Sequence, residues 1–257
     1  MSYEAGSRPG HADQRMTRAF AAFSIACSIF LVAGPASAWR TVVNDRFTRA
    51  GRPPAHWSLY DGPYGSGAHN CARPSHDYVS GGVLHLLMKY RTSGDCGAGW
   101  YTGGMMLSKA HQSIDQRITL RWRVAYRGVH AHRVIPMRWP SNGSWPEGGE
   151  EDYCEATSLS QCKTFLHYGA DNSQESHGYR VDLTRWHTWR FSRRRHVVRV
   201  YRDRMTTPIW VYRGSSTTLP DTLKRVVLQQ ECRFAGCPTR TTGREDIRID
   251  WIRVENP

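Results

Sequence analysis

A two-residue alternation of apolar and polar side chains, repeated in short runs, constrains this chain more than any other feature. Ile118-Thr119-Leu120-Arg121-Trp122-Arg123-Val124 is the clearest run; residues 196–202 form a second and residues 247–254 close the chain. Successive side chains of a strand point to opposite faces, so each run offers one face to a core and one to water. No stretch sustains a 3.6-residue period. Gly81-Gly82, Gly103-Gly104, Pro140-Ser141-Asn142-Gly143 and Gly148-Gly149 separate the runs as turns. Many short strands without helices predict an all-β chain, an antiparallel β-sandwich or jelly roll. No repeat or linker follows residue 39, so residues 39–257 read as a single domain.

Residues 1–38 read as a leader and signal peptide. Met16-Thr17-Arg18 is a basic start, residues 19–33 are apolar, and Ala36-Ser37-Ala38 is a small-x-small cleavage pattern. The apolar run is short for a membrane span. A secreted chain without a membrane anchor is therefore expected. Of 7 cysteines, Cys27 lies in the leader. The even remainder in an exported chain implies disulfides. Short intervening loops favour the sequential pairs Cys71–Cys96, Cys154–Cys162 and Cys232–Cys237 over the other pairings. No two form a C-x-x-C pair, which argues against zinc.

With 35 Lys+Arg against 22 Asp+Glu, the formal charge is +13, which favours anionic partners or simply solubility. The basic residues are scattered apart from Arg193-Arg194-Arg195, so no nucleic-acid patch is expected. Against this background, residues 145–155 form a dense acidic stretch. As a strand, it puts Glu150 and Asp152 on one face; a bulge near Tyr153-Cys154 brings Glu155 beside them. Two such carboxyls can cleave a glycosidic bond, one attacking the anomeric carbon and one protonating the leaving oxygen. The middle carboxyl raises its neighbour's pKa and can share its proton. Binding of a hard cation and a solvated acidic turn are competing readings of the same pattern.

Glu150-x-Asp152-x-x-Glu155, preceded by Trp145-Pro146-x-Gly148-Gly149, resembles the bulged signature of glycoside hydrolase family 16. Tyr101-Thr102-Gly103-Gly104, Gly82-Val83-Leu84-His85-Leu86, Phe165-Leu166-His167, the segment 182–189 and Ile249-Asp250-Trp251-Ile252-Arg253-Val254 resemble further family strands in order. The resemblance implies a concanavalin-like jelly roll and a monomeric, retaining endo-β-glycanase that needs no catalytic cofactor. It assigns Glu150 as nucleophile, Asp152 as assisting carboxylate and Glu155 as acid/base, with His167 near the cleft. A β-1,3-glucan is the default polysaccharide and a galactan, including anionic ones, the runner-up; a non-catalytic carbohydrate-binding protein on this fold is the alternative. Asp250 matches an aspartate that helps hold a structural calcium in parts of the family, with a cap or ion pair as the competing role.

Among the tryptophans, Trp139 and Trp145 flank the acidic strand and are the best candidates for stacking on sugar; Trp57, Trp100 and Trp186 are weaker ones. His130 and His132 are expected on the surface. Two residues depart from the family pattern. Glu151 stands where an aliphatic residue is usual and should point between the sheets, so it needs a basic partner, a proton or an edge position. Cys154 is also unusual and, bonded to Cys162, would staple the bulged strand to the next.

Overall fold

The computed structural model describes residues 38–63, 70–127, 131–232 and 243–257. Strands form two stacked sheets. In the eleven-stranded sheet the order runs Trp210–Arg213, Val197–Arg202, His187–Arg194, Gln116–Arg127, Arg244–Asn256, Val83–Arg91, Gly99–Thr102, Asn70–Ala72 and Gly62–Pro63. Arg40–Asp45 also pairs with Arg244–Asn256, and Asp77–Ser80 with Val83–Arg91. The seven-stranded sheet runs Ser173–Arg180, Gln161–Tyr168, Glu150–Ala156, His132–Pro140, Lys224–Glu231, Gly104–Leu107 and Trp57–Leu59. Described pairs are antiparallel, apart from the short parallel pair of Asn70–Ala72 with Gly99–Thr102. The antiparallel all-β sandwich expected from the alternation is the fold observed.

The core lies between the sheets. Ile118, Leu120, Trp122 and Val124 are buried in it, as the alternation requires, and so are Val198 and Val200. Each such large apolar side chain contributes roughly 1.5–3 kcal/mol on leaving water. Tyr153 from the smaller sheet stacks on Phe191 from the larger at 4.9 Å. The C-terminal run is less regular. Its register against Gln116–Arg127 shifts between Ile249 and Trp251. That bulge lets Ile247, Ile249, Ile252 and Val254 all face the core and turns Trp251 out of it.

Disulfides join Cys71 to Cys96 and Cys154 to Cys162, as the short loops suggested. Cys232 is also disulfide-bonded, and the expected partner, Cys237, lies outside the described residues. Residues 1–37, on which the leader is expected, and His130 lie outside them too. The described residues belong to one compact unit, Ser37–Pro257. Among them no helix is long and apolar enough to cross a membrane.

Candidate active site

The acidic strand Glu150–Ala156 is internal to its sheet, between His132–Pro140 and Gln161–Tyr168. It starts after Gly149, which sits at φ 72°, where a side chain would be strained; an added Cβ would also meet Pro220 and the His167 carbonyl at 3.0 and 3.1 Å. Glu150 pairs with His167, Asp152 with Phe165 and Glu155 with Lys163. The acidic strand thus takes three steps from Asp152 to Glu155 where its neighbour takes two. This is the expected bulge at Tyr153-Cys154. The adjoining strand also bulges against Lys224–Glu231, between Val134 and Met137, so the two irregularities accommodate each other. The Cys154–Cys162 bond ties the bulge to the next strand.

The bulge gathers all three carboxyls on the outer face of the seven-stranded sheet. Glu150, Asp152, Glu155, Trp139, Trp145 and His167 line one cavity of about 390 Å³, together with His132, Asn172, Gln229 and Glu231. The six residues predicted for catalysis and sugar contact therefore converge. Trp139 and Trp145 stack with ring centroids 6.2 Å apart, and Trp145 is 44% exposed, so this aromatic pair is open to a ligand. Beyond Trp139 the cleft continues into a more apolar cavity of about 440 Å³, lined by Tyr60, Met106 and Met137.

Hydrogen bonds fix the carboxyls. The Trp145 indole Nε1 donates to Glu150 Oε2 at 2.7 Å. Glu150, Asp152 and His167 each bring a polar side-chain atom within 4.8 Å of the other two. His167 Nε2 lies 3.2 Å from Asp152 Oδ2, and its Nδ1 is 2.8 Å from Asn172 Oδ1. Burial, then the Asp152 charge, pushes Glu150 up to about 9. Burial also raises Asp152. Burial alone would lower His167, but the Asp152 hydrogen bond and charge outweigh it and lift the imidazole to about 9. The three groups titrate as a unit. Both carboxyls are thus pushed towards the protonated form and the imidazole towards the charged one.

His132 was expected on the surface, and the structure places it between Glu155 and Glu231. Its ring is buried, with Nε2 2.5 Å from Glu155 Oε1 and Nδ1 3.2 Å from Glu231 Oε1. This carboxylate–histidine–carboxylate chain escaped the sequence reading because its members sit on three strands. The available signal was a histidine on the strand destined to pair with residues 150–156.

Glu151 points the other way, between the sheets. Arg138 donates to it at 2.7 Å and the Tyr153 hydroxyl at 2.6 Å; Arg193 and Lys224 lie at 3.4 and 3.7 Å. Burial would raise its pKa, but these cations, Arg138 first, bring it down to about 2. Of the three ways to tolerate a buried carboxylate here, the chain uses basic partners.

The weaker candidates fall elsewhere. Trp57 is buried, and its indole donates to Asp45 at 2.7 Å. Trp100 packs with Met88 and Tyr90. Trp186 lies beneath Arg121 and Arg123. Asp250 accepts from Arg121 at 2.6 Å, which supports the ion-pair role over a calcium ligand. Among the described residues, the cluster able to converge on a metal ion is Glu150, Asp152 and His167, not one containing Asp250.

No known family profile matches the chain, and no curated protein matches its sequence. Solved structures do match. The catalytic domain of an endo-1,3-β-glucanase (laminarinase) from Thermotoga petrophila superposes with a TM-score of 0.71 at 17% identity, covering 85% of this chain and 98% of that one. A mutant non-specific endo-β-1,3(4)-glucanase of family 16, holding 1,3-β-D-cellobiosyl-glucose at its active site, gives 0.73 at 18% identity over 86% and 96%. A LamA variant from Zobellia galactanivorans, in complex with laminaritriose and laminaritetraose, gives 0.70 at 14% identity over 85% and 100%. The fold is that of these glucanases. The concanavalin-like jelly roll implied by the sequence resemblance is therefore the architecture found.

Proposed function

We propose that this chain is a secreted, retaining endo-β-glycanase of the family 16 type, acting on a neutral β-glucan with β-1,3 linkages foremost. One observation carries the reading: a bulged strand presents Glu150, Asp152 and Glu155 to a single cavity walled by stacked tryptophans. The fold shared with the glucanases supports it, as do the disulfides, which belong to an oxidising compartment.

In the first step Glu150 attacks the anomeric carbon as the carboxylate. A proton held by Glu150 passes to Asp152 beside it, so the pair does not carry two negative charges. Trp145 holds the attacking carboxyl in place. Glu155 gives its proton to the departing glycosidic oxygen, and a covalent glycosyl-enzyme remains. Glu155, now a base, takes a proton from water; the water oxygen attacks the anomeric carbon and Glu150 leaves, which restores the β configuration. His132 and Glu231 orient Glu155 through both steps.

The charge of the cleft favours a neutral glycan over an anionic galactan. Glu150, Asp152, Glu155 and Glu231 line it, and the described lining residues of both cavities include no lysine or arginine. Reducing-sugar release should be measured on laminarin, lichenan, a neutral galactan and a sulfated galactan. We expect hydrolysis of a neutral glucan, with the β anomer as first product by NMR. Binding of one glycan without hydrolysis of any would favour the non-catalytic alternative, and a first α anomer would exclude retention.

A further inference from the structure

The arginines that are scattered in sequence are gathered in space. On Gln116–Arg127 the even-numbered residues from Ile118 to Val124 fill the core, so Arg117, Arg121 and Arg123 stand on the outer face of the eleven-stranded sheet. Trp189 and Phe191 face inward on the neighbouring strand, which sends Arg190 outward, and Val198 and Val200 do the same for Arg199. Cross-strand register aligns these positions: Arg190 pairs with Thr119 and Tyr201, and Thr119 pairs with Arg253 on its other side. Arg248 lies opposite Arg123. Strands about 4.8 Å apart thus carry a guanidinium lattice across four strands.

Part of this charge is neutralised. Glu255 takes Arg117, Asp250 takes Arg121, and Asp246 takes Arg248. Arg123, Arg190, Arg199 and Arg253 have no carboxylate within ion-pair distance among the described residues. At Arg190 the pKa is lowered by burial and then by Arg117, against an opposing pull from Glu255 and Tyr201. The cleft, with Glu150, Asp152, Glu155 and Glu231 in its lining, lies on the outer face of the other sheet, away from these arginines.

We propose that the outer face of the eleven-stranded sheet is a binding surface for an anionic polysaccharide bearing sulfate esters or carboxylates, separate from the catalytic cleft. Guanidinium groups on a rigid sheet bind such oxyanions bidentately and lose little entropy doing so. Nucleic acid fits less well, because single strands bind through open aromatic faces. Here the rings are already covered: Arg121 and Arg123 sit over Trp186 at 5.0 and 5.1 Å, Arg117 over Trp39 at 5.2 Å, and Arg190 over Tyr201 at 5.8 Å. An enzyme so built would hold to an acidic matrix by one face while the other works on a neutral chain.

The test is calorimetric binding of the secreted protein to dextran sulfate, polygalacturonate, neutral dextran and oligodeoxythymidine at about 0.15 M salt. Either anionic polysaccharide should bind, increasingly weakly as salt rises, and neutral dextran should not; the stronger of the two identifies the anionic group. The Arg123→Gln/Arg199→Gln/Arg253→Gln variant should lose roughly tenfold or more in affinity, and the matching Lys variant should keep most of it. Arg253, which is exposed, is also changed alone to Gln and should reduce the salt slope without threatening the fold. Parental affinity in the triple Gln variant, tighter binding of oligodeoxythymidine, or displacement by a neutral glucan oligosaccharide would each overturn the proposal. None of these readouts depends on hydrolysis, so failure of the catalytic reading would leave this result standing, and the reverse.

Discussion

Replacing Glu151 with Leu tests the buried charge cluster that lets an acidic residue occupy the core side of the candidate catalytic strand. Glu151 is 2% exposed, and Arg138 and Lys224 have no exposure at all. The substitution removes the only carboxylate among these contacts that is itself buried. It leaves Arg138 without its carboxylate acceptor at 2.7 Å, Tyr153 without its 2.6 Å acceptor, and Arg193 with the half-exposed Asp221 as its remaining carboxylate. Breaking one partner out of a buried ion pair costs about 3–5 kcal/mol. For a domain of this size, that is a fall in Tm of roughly 6–20 °C. Urea unfolding followed by tryptophan fluorescence measures it. Lys224 supplies a second signature. Burial already lowers its pKa to about 8, below the unfolded value, so the unfolded chain binds more protons above that pH and stability from this group rises with pH. Without Glu151 the folded pKa falls further, and the rise should begin below pH 8. Adding Arg138→Met to Glu151→Leu should recover part of the loss, since the two sites couple. A loss under about 1 kcal/mol with no change in pH dependence would refute the reasoning.

Two further expectations concern the histidines. His132→Ala removes a short hydrogen bond to Glu155 and should lower kcat roughly 10–100-fold, as loss of a charge-assisted bond predicts; the acid–base limbs of the pH–rate profile should move, and aryl glycosides with good leaving groups should suffer less. An unchanged profile would reduce His132 to a packing residue. His167 is raised from 6.5 to about 9 in the folded protein, so its stabilising contribution is full below about pH 6.5 and is lost as pH rises through 9. His167→Asn should therefore flatten the decline of stability between those values, which thermal melts across that range would read directly.

Much of this fold was legible because the core is a plain two-layer one. Ile118 to Val124 alternates without interruption, and every even position is buried. The same rule fails at Asp250-Trp251, where a bulge lets side chains of both parities reach the core; neither side chain marks that break. At the site, the three carboxyls were legible because they share one strand and one local irregularity. His132 and Glu231 were not, since their meeting depends on the order His132–Pro140 and Lys224–Glu231 take in the sheet. The arginine face was missed for a related reason. Charges spaced along separate strands look dispersed until register brings them side by side. Glu151 marks the reverse case: its anomaly was visible, and the remedy, cations from both sheets, required the third dimension.

Trapping the covalent intermediate tests the central claim most directly. A 2-deoxy-2-fluoro glycoside of the accepted glucan, carrying an activated leaving group, should slow both steps and let the glycosyl-enzyme accumulate. Intact mass spectrometry should then show a single added glycosyl unit, and peptide mapping should locate it on Glu150. Glu150→Ala should take no label and show no turnover. Label on Asp152 or Glu155, or wild-type turnover by Glu150→Ala, would contradict the assignment of the nucleophile and with it the mechanism built on the bulged strand.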